Sequence, residues 1–287
     1  MFCQKKNLHT LILRLKSNAD TLKDIRIRNS ILISNVILFI ICTLPFLLAT
    51  LFTYLAYKEG SKFTYWTFGY EVENDISVAI IHFVGTYIHC TVYQVYPCLF
   101  ALSICLLIHR YGLILLQIND TMKKQSLENI AFPAHYSKVV SRYNALEKEL
   151  HVLRDTLSKP LFFVLSACFC SLFMTLTTYL EYRIIPLMGI LVILANHVLT
   201  SLTIVVFVAH FVTRIPEYMC KIKTEAGFLM DEHQALRKRS NEIDLFEIIR
   251  RKEILYLSAG GVYFKKSFLL TAFGTFFTYG LLIATTK

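Results

Sequence analysis

The sequence predicts an all-α fold, a polytopic membrane bundle of five spanning helices, and three observations carry that prediction. The chain of 287 residues is 55% hydrophobic with a mean hydropathy of +0.51, richer in apolar residues than ordinary soluble domains. Its charged residues avoid five runs altogether: 29–57, 76–109, 160–180, 184–213 and 267–286. A run of about 20 residues suffices for a helix to cross a hydrocarbon core of about 30 Å. The third observation is sidedness. Of 30 Lys and Arg, 26 fall in 1–28, 110–159 and 214–266, and only 4 in the alternate segments. Positive-inside bias then places the amino terminus in the cytosol and the carboxyl terminus outside. The net charge of +10 is thereby an address for topology and for contact with anionic lipid, and nucleic acid is not an expected partner.

Taken in order, residues 1–30 space Leu8, Leu11, Ile12, Leu15, Leu22 and Ile25 at helical intervals among basic residues, an amphipathic cytosolic segment. Span one, 31–57, contains Pro45, which is expected to kink it, and ends in Phe52, Tyr54 and Tyr57. The exterior loop 58–77 carries Tyr65, Trp66 and Tyr70, read first as an interfacial aromatic belt and second as ligand contacts. Span two, 78–108, would be too long for one crossing and too short for two, so it reads as one helix bent at Pro97 that continues into the cytosol. His82, His89 and Tyr96 recur every seven residues and are expected to share a face. His82 and His89 stand about 10.5 Å apart along the axis and cannot ligate one metal.

Residues 110–159 form a cytosolic helical segment with a Leu146, Leu150, Leu153, Leu157 stripe. Ser158 before Pro160 reads as the start of span three, 160–180. Span four, 187–213, comes after the short link from Glu181 to Pro186 and carries Asn196 and His197 in its outer half. Polar residues this deep face a cavity or a neighbouring helix. Tyr87, His89, Tyr93, Asn196 and His197 are therefore candidates for a ligand pocket, with ordinary interhelical bonding as the alternative. A second cytosolic helical segment, 214–264, has an apolar stripe of Ile243, Phe246, Ile249 and Ile254, and Gly260-Gly261 are expected to break it as a hinge. The two cytosolic segments read as a bundle able to hold subunits together, and the whole of 1–287 as a single membrane domain.

The last span, 266–286, is sorted by face. Ser267, Thr271, Gly274, Thr275, Thr278, Leu282 and Thr285 share an arc, with Thr286 at its edge. Leu269, Phe273, Phe276, Phe277, Ile283 and Ala284 lie opposite. Either the hydroxyl face borders water, or it packs as a seam of small residues with its hydroxyls bonded to the preceding turn.

Six of the eight cysteines lie in spans and two in cytosolic segments, so no disulfide is expected, and Cys168-x-Cys170 lacks partnering metal ligands. The sequon at Asn119 falls on the cytosolic side and should stay unmodified. The five charge-free runs contain no Asp, Glu, Lys or Arg, so no enzyme, metal or cofactor is expected.

The carboxyl end resembles the arthropod gustatory-receptor family, which is related to insect odorant receptors. That family closes with Thr-Tyr, a short apolar run and Gln-Phe; here Thr278-Tyr279 is followed by Gly280 to Ala284. Upstream, LSAGGVYFKKSFLL (Leu257–Leu270) resembles the family's small-residue turn and approach to the last helix, and Ala145–Tyr182 resembles the start of its fifth. Thr285 and Thr286 stand in place of Gln-Phe, and five spans stand in place of seven. Matched from the carboxyl end, they correspond to the third to seventh, with residues 1–30 as the loop after a missing second helix.

The resemblance implies a chemosensory receptor of the plasma membrane that acts as a ligand-gated non-selective cation channel in taste perception. It implies a homo- or hetero-tetramer with a small-molecule tastant or odorant as ligand. It further implies a pore lined by the last helix, with Leu282 as the apolar constriction and Thr285 and Thr286 at the outer mouth. Thr275 and Thr278 lie on the lining, and the cytosolic helices anchor the subunits. Two rivals remain. One is a G-protein-coupled receptor fragment, suggested by His109-Arg110-Tyr111 at the end of span two; the other is a truncated receptor without autonomous activity.

Overall fold

A computed structural model describes residues 11, 25–59, 66, 74–127, 133–181, 188–235, 240–259, 262–263, 271, 274–275 and 278. Nearly all of them are helical. In chain order these are α1 (Ile25–Glu59), α2 (Asp75–Cys90), a π-helical turn (Thr91–Val95), α3 (Tyr96–Leu127), α4 (Pro133–Glu181), α5 (Met188–Ala235) and α6 (Ser240–Arg251). After them comes a minimal ladder, β1 (Ser258–Ala259) antiparallel to β2 (Val262–Tyr263).

Among the described residues, four helical stretches are long and apolar enough to cross a membrane: Ile31–Leu55, Asp75–Lys124, Ser137–Tyr179 and Leu191–Asp231. Only 6% of the apolar window in the first is buried. Leu32, Phe39 and Leu47 are among its exposed side chains, a surface that suits hydrocarbon and not water. The threonines of α1 need no water either. Thr43 donates to the Phe39 carbonyl at 3.0 Å, Thr50 to Phe46 at 2.9 Å and Thr53 to Ala49 at 2.8 Å. Pro45 is buried, and α1 is helical on both sides of it. Of the fifth predicted span, Thr271, Gly274, Thr275 and Thr278 are described, all helical and exposed. Thr278 donates to the Gly274 carbonyl at 2.8 Å. Gly260, Gly261, Tyr279, Leu282, Thr285 and Thr286 lie outside the described residues, as does the amphipathic segment 1–30 apart from Leu11 and 25–30.

Two sequence expectations are corrected here. No helix starts at Ser158-Pro160, because α4 runs unbroken through Pro160; α5 likewise runs through Pro216. An interior proline forfeits one hydrogen bond and crowds the preceding turn, at about 3 kcal/mol. Packing on both sides offsets it: Leu157 and Leu161 are 3% and 0% exposed, and Ile215 and Met219 are fully buried. Secondly, the helix of 240–251 ends well before Gly260-Gly261, so Ile254 is not part of its stripe. Residues 253–257 have no helical bonds, and Leu255 and Leu257 alternate inward with a period of two, the pattern of an extended chain.

The chain packs as two compact units. One comprises 1–20, 104–163 and 207–271. Its core includes the predicted stripe Leu146, Leu150, Leu153 and Leu157, all buried, with Tyr111, Leu115, Ile118 and Met122 of α3 and Val212, Ile215 and Ile222 of α5. Polar contacts set its register. Arg142 donates to the Gln117 side chain at 3.0 Å, Lys123 pairs with Glu225 at 3.9 Å, and Lys252 pairs with Glu147. The sequon residue Asn119 is itself buried in α3. The other unit comprises 21–103, 164–206 and 272–287. In it α1 packs along α2, with Phe46 edge-on to Phe83 at 5.7 Å and Phe52 against His82 at 6.3 Å.

Candidate ligand-binding site

The site in the second unit is built by one irregularity in α2–α3. Asn74 starts α2, its side-chain oxygen accepting from the Ile76 amide at 3.0 Å. At Thr91 the ladder widens: the Tyr96 amide reaches back five residues to the Thr91 carbonyl. Pro97 comes immediately after and has no amide to offer, so the ladder is already interrupted where the wide turn forms. The extra residue rotates the downstream helix by about a quarter turn relative to a plain α-helix. His82, His89 and Tyr96 therefore do not share a face. His82 is 1% exposed, His89 is half-buried and Tyr96 is 64% exposed. Gln94, at 5%, takes the inward position.

Across from this face, Ile193, Asn196 and His197 lie three and four residues apart on α5 and line the same pocket. The Asn196 amide donates to the Gln94 side-chain oxygen at 3.0 Å. His89 Nε2 lies 3.2 Å from His197 Nε2, so one ring donates and the other accepts, and the rings meet edge-on. Tyr93 packs on His89 at 4.7 Å. Trp66, from the loop before α2, closes the group. Its indole N–H donates to Thr86 Oγ1 at 3.1 Å, and its ring packs edge-on against His89 at 6.0 Å and beside Phe52 and Ile193. The free volume left is about 10 Å³, at the margin of what one water needs.

The structure thus brings His89, Tyr93, Asn196 and His197 together. Tyr87 is left out: it is 41% exposed and stacks on Phe83 at 6.2 Å. Thr86, Cys90 and Gln94 belong to the group although the sequence does not single them out, and Trp66, read first as part of an interfacial belt, joins them. Thr86 and Cys90 are within reach of sequence reasoning, since 86, 89, 90 and 93 form a helical stripe. Gln94, four residues after Cys90, extends the same stripe, whereas Trp66 is hidden by a contact across 20 residues. Among the described residues all seven cysteines are free thiols, and no three His, Cys, Asp or Glu cluster to hold a metal ion.

The arrangement can take a small ligand offering both a ring face and hydrogen-bonding groups, once the indole or the helices move. Losing one imidazole leaves the other's nitrogen without its partner. His197→Leu is expected to cost about 1–2 kcal/mol in unfolding free energy, and His89→Leu with His197→Leu less than the sum of the singles. Thermal unfolding of the purified chain, run as a double-mutant cycle, checks this; strict additivity would dissolve the pair. Models of known protein families do not match the chain, and a search of curated proteins finds no match.

Proposed function

We propose that the chain is a multi-pass plasma-membrane chemoreceptor that works as a ligand-gated non-selective cation channel, of the kind the arthropod gustatory receptors represent. The observation that carries this reading is the polar, aromatic group of His89, Gln94, Asn196, His197 and Trp66, set among apolar helices and collapsed to about 10 Å³. Packing alone would be served by apolar side chains, whereas a site that must admit a ligand needs polar groups that can exchange one another for it. The exposed arc of Thr271, Gly274, Thr275 and Thr278 supports the second half of the reading. In a symmetric tetramer such a face both packs copies and borders the path between them. Leu282 is then the constriction, with Thr285 and Thr286 beyond it, and ligand energy widens an apolar ring that closes by dewetting. The termini take the sides that the Lys and Arg distribution assigns.

Whole-cell recording tests this. Cells expressing the chain, alone or with a second receptor of the same kind, are expected to show tastant-evoked current that persists under G-protein blockade. Leu282→Ser is expected to raise basal leak severalfold in well-expressed protein, because a hydroxyl ring wets more readily than a leucine ring. Unchanged leak removes Leu282 from the gate. Current that vanishes under blockade would point to the G-protein-coupled alternative, and silence relieved only by co-expression to a subunit without autonomous activity.

A further inference from the structure

Two imidazoles held nitrogen to nitrogen meet acid differently from one. His89 Nε2 and His197 Nε2 are 3.2 Å apart, with both residues in the second unit. In the neutral pair one ring donates through Nε2 and keeps its lone pair on Nδ1, while the other accepts on Nε2. A first proton goes to that Nδ1 and leaves the bond standing, now charge-assisted. A second finds only the accepting Nε2, and taking it sets N–H against N–H and cation against cation. The contact cannot outlast that step. Nor can water relieve it in place, because the cavity of about 10 Å³ holds at most one molecule.

Among the described residues that line the pocket, none is Asp, Glu, Lys or Arg, whether from α1, from α2 and its π-helical turn, or from α5. The other ionisable ones are Cys90 and Tyr93, and a thiol or phenol takes up no proton in acid. His82, the remaining histidine of this unit, faces Phe52 at 6.3 Å. The bonds beside the pair do not titrate: Asn196 donates to Gln94 at 3.0 Å and Trp66 to Thr86 at 3.1 Å. Acid therefore acts on this group through the two imidazoles. The Trp66 ring rests edge-on against His89 at 6.0 Å, so a displacement of His89 reaches the indole.

We propose that the His89–His197 pair is an acid-released latch: protons on both rings part α5 from α2 here and unseat Trp66. The open group then holds more protons than the closed one, so acid shifts the balance towards it. The latch rests on the reading of this group as a ligand site for its purpose, which is to ready the pocket. Emission of the chain's one tryptophan reports the latch with no ligand or current, so a silent titration counts against the latch and not against that reading.

The full chain, purified in detergent, is titrated from about pH 8 to about pH 5, the span in which histidines change charge. The emission maximum is expected to move to the red and acrylamide to gain access, reversibly and with far-ultraviolet circular dichroism unchanged. Wavelength is read rather than intensity, because a charged ring beside an indole alters intensity without any opening. His89→Gln and His197→Gln should each abolish the shift, since the amide bonds the remaining imidazole in either charge state. His82→Gln should keep it. A wild-type maximum that does not move, a shift that persists in either Gln variant of the pair, or one that His82→Gln also abolishes overturns the proposal. Should a Gln variant not fold, the wild type decides: a shift that comes with loss of helix, or does not reverse, is acid unfolding and overturns it as well.

Discussion

Gly85→Leu is expected to throw Trp66 off the pocket. A Cβ at residue 85 would lie 2.5 Å from indole Cδ2 and 2.8 Å from Cε3, distances no side chain tolerates, and a leucine extends further into the same space. The ring cannot yield by a small tilt. It is fixed by the Thr86 hydroxyl on one side and by Phe52 and Ile193 on the other. Its departure uncovers Phe52, now 2% exposed, and breaks the edge contact with His89. We expect a loss of about 1–3 kcal/mol in stability, as for an overpacked core. Trp66 is the chain's one tryptophan, so its emission reads the event directly. The spectrum should shift to the red, and soluble quenchers should gain access. Unaltered emission from folded Gly85→Leu protein would mean that the indole does not rest on this glycine.

Glu147→Ala should be the most damaging single change in the first unit. Glu147 and Lys252 are 14% and 24% exposed, so removing the acid strands an ammonium that is largely out of water. Fully buried pairs lose about 3–5 kcal/mol on such a change; partial exposure brings the expectation to about 2–4 kcal/mol. The pair joins α4 to the residue after α6, which is where the helix stops and the extended 253–257 stretch begins. Glu147→Leu combined with Lys252→Met should recover much of the loss, since apolar replacements of similar volume carry no stranded charge. Chemical denaturation of the singles and the double measures the coupling. A double variant as unstable as the sum of the two singles would show that the pair is not the link.

The membrane character was legible because it is written as a partition of charge, a property that needs no knowledge of contacts. The leucine stripe of 146–157 was legible for a related reason: its spacing selects one helical face whatever packs against it. Helix ends were not. Pro160 reads locally as a start, and only the burial of Leu157 and Leu161 explains why α4 continues through it. Four of the five proposed pocket residues converge because a polar side chain deep in an apolar run has few places to go. Tyr87 does not, since a tyrosine can also lie on an exposed face and stack on the phenylalanine one turn earlier. Tyr96 required knowing that the helix miscounts by one residue at Thr91–Val95: the seven-residue recurrence puts it beside His89, and it is exposed instead.

The lengths of α4 and α5 carry a practical consequence. At 1.5 Å per residue their 49 and 48 residues give a helical contour of roughly 70 Å each, more than twice a hydrocarbon thickness of about 30 Å. Over half of each contour is then more than a bilayer core can take up, and that surplus answers to solution chemistry while the remainder answers to bilayer thickness. Preparations must satisfy both regimes at once: a micelle wide enough to sheathe the oily portion, and an ionic medium gentle enough not to unpick the hydrated one.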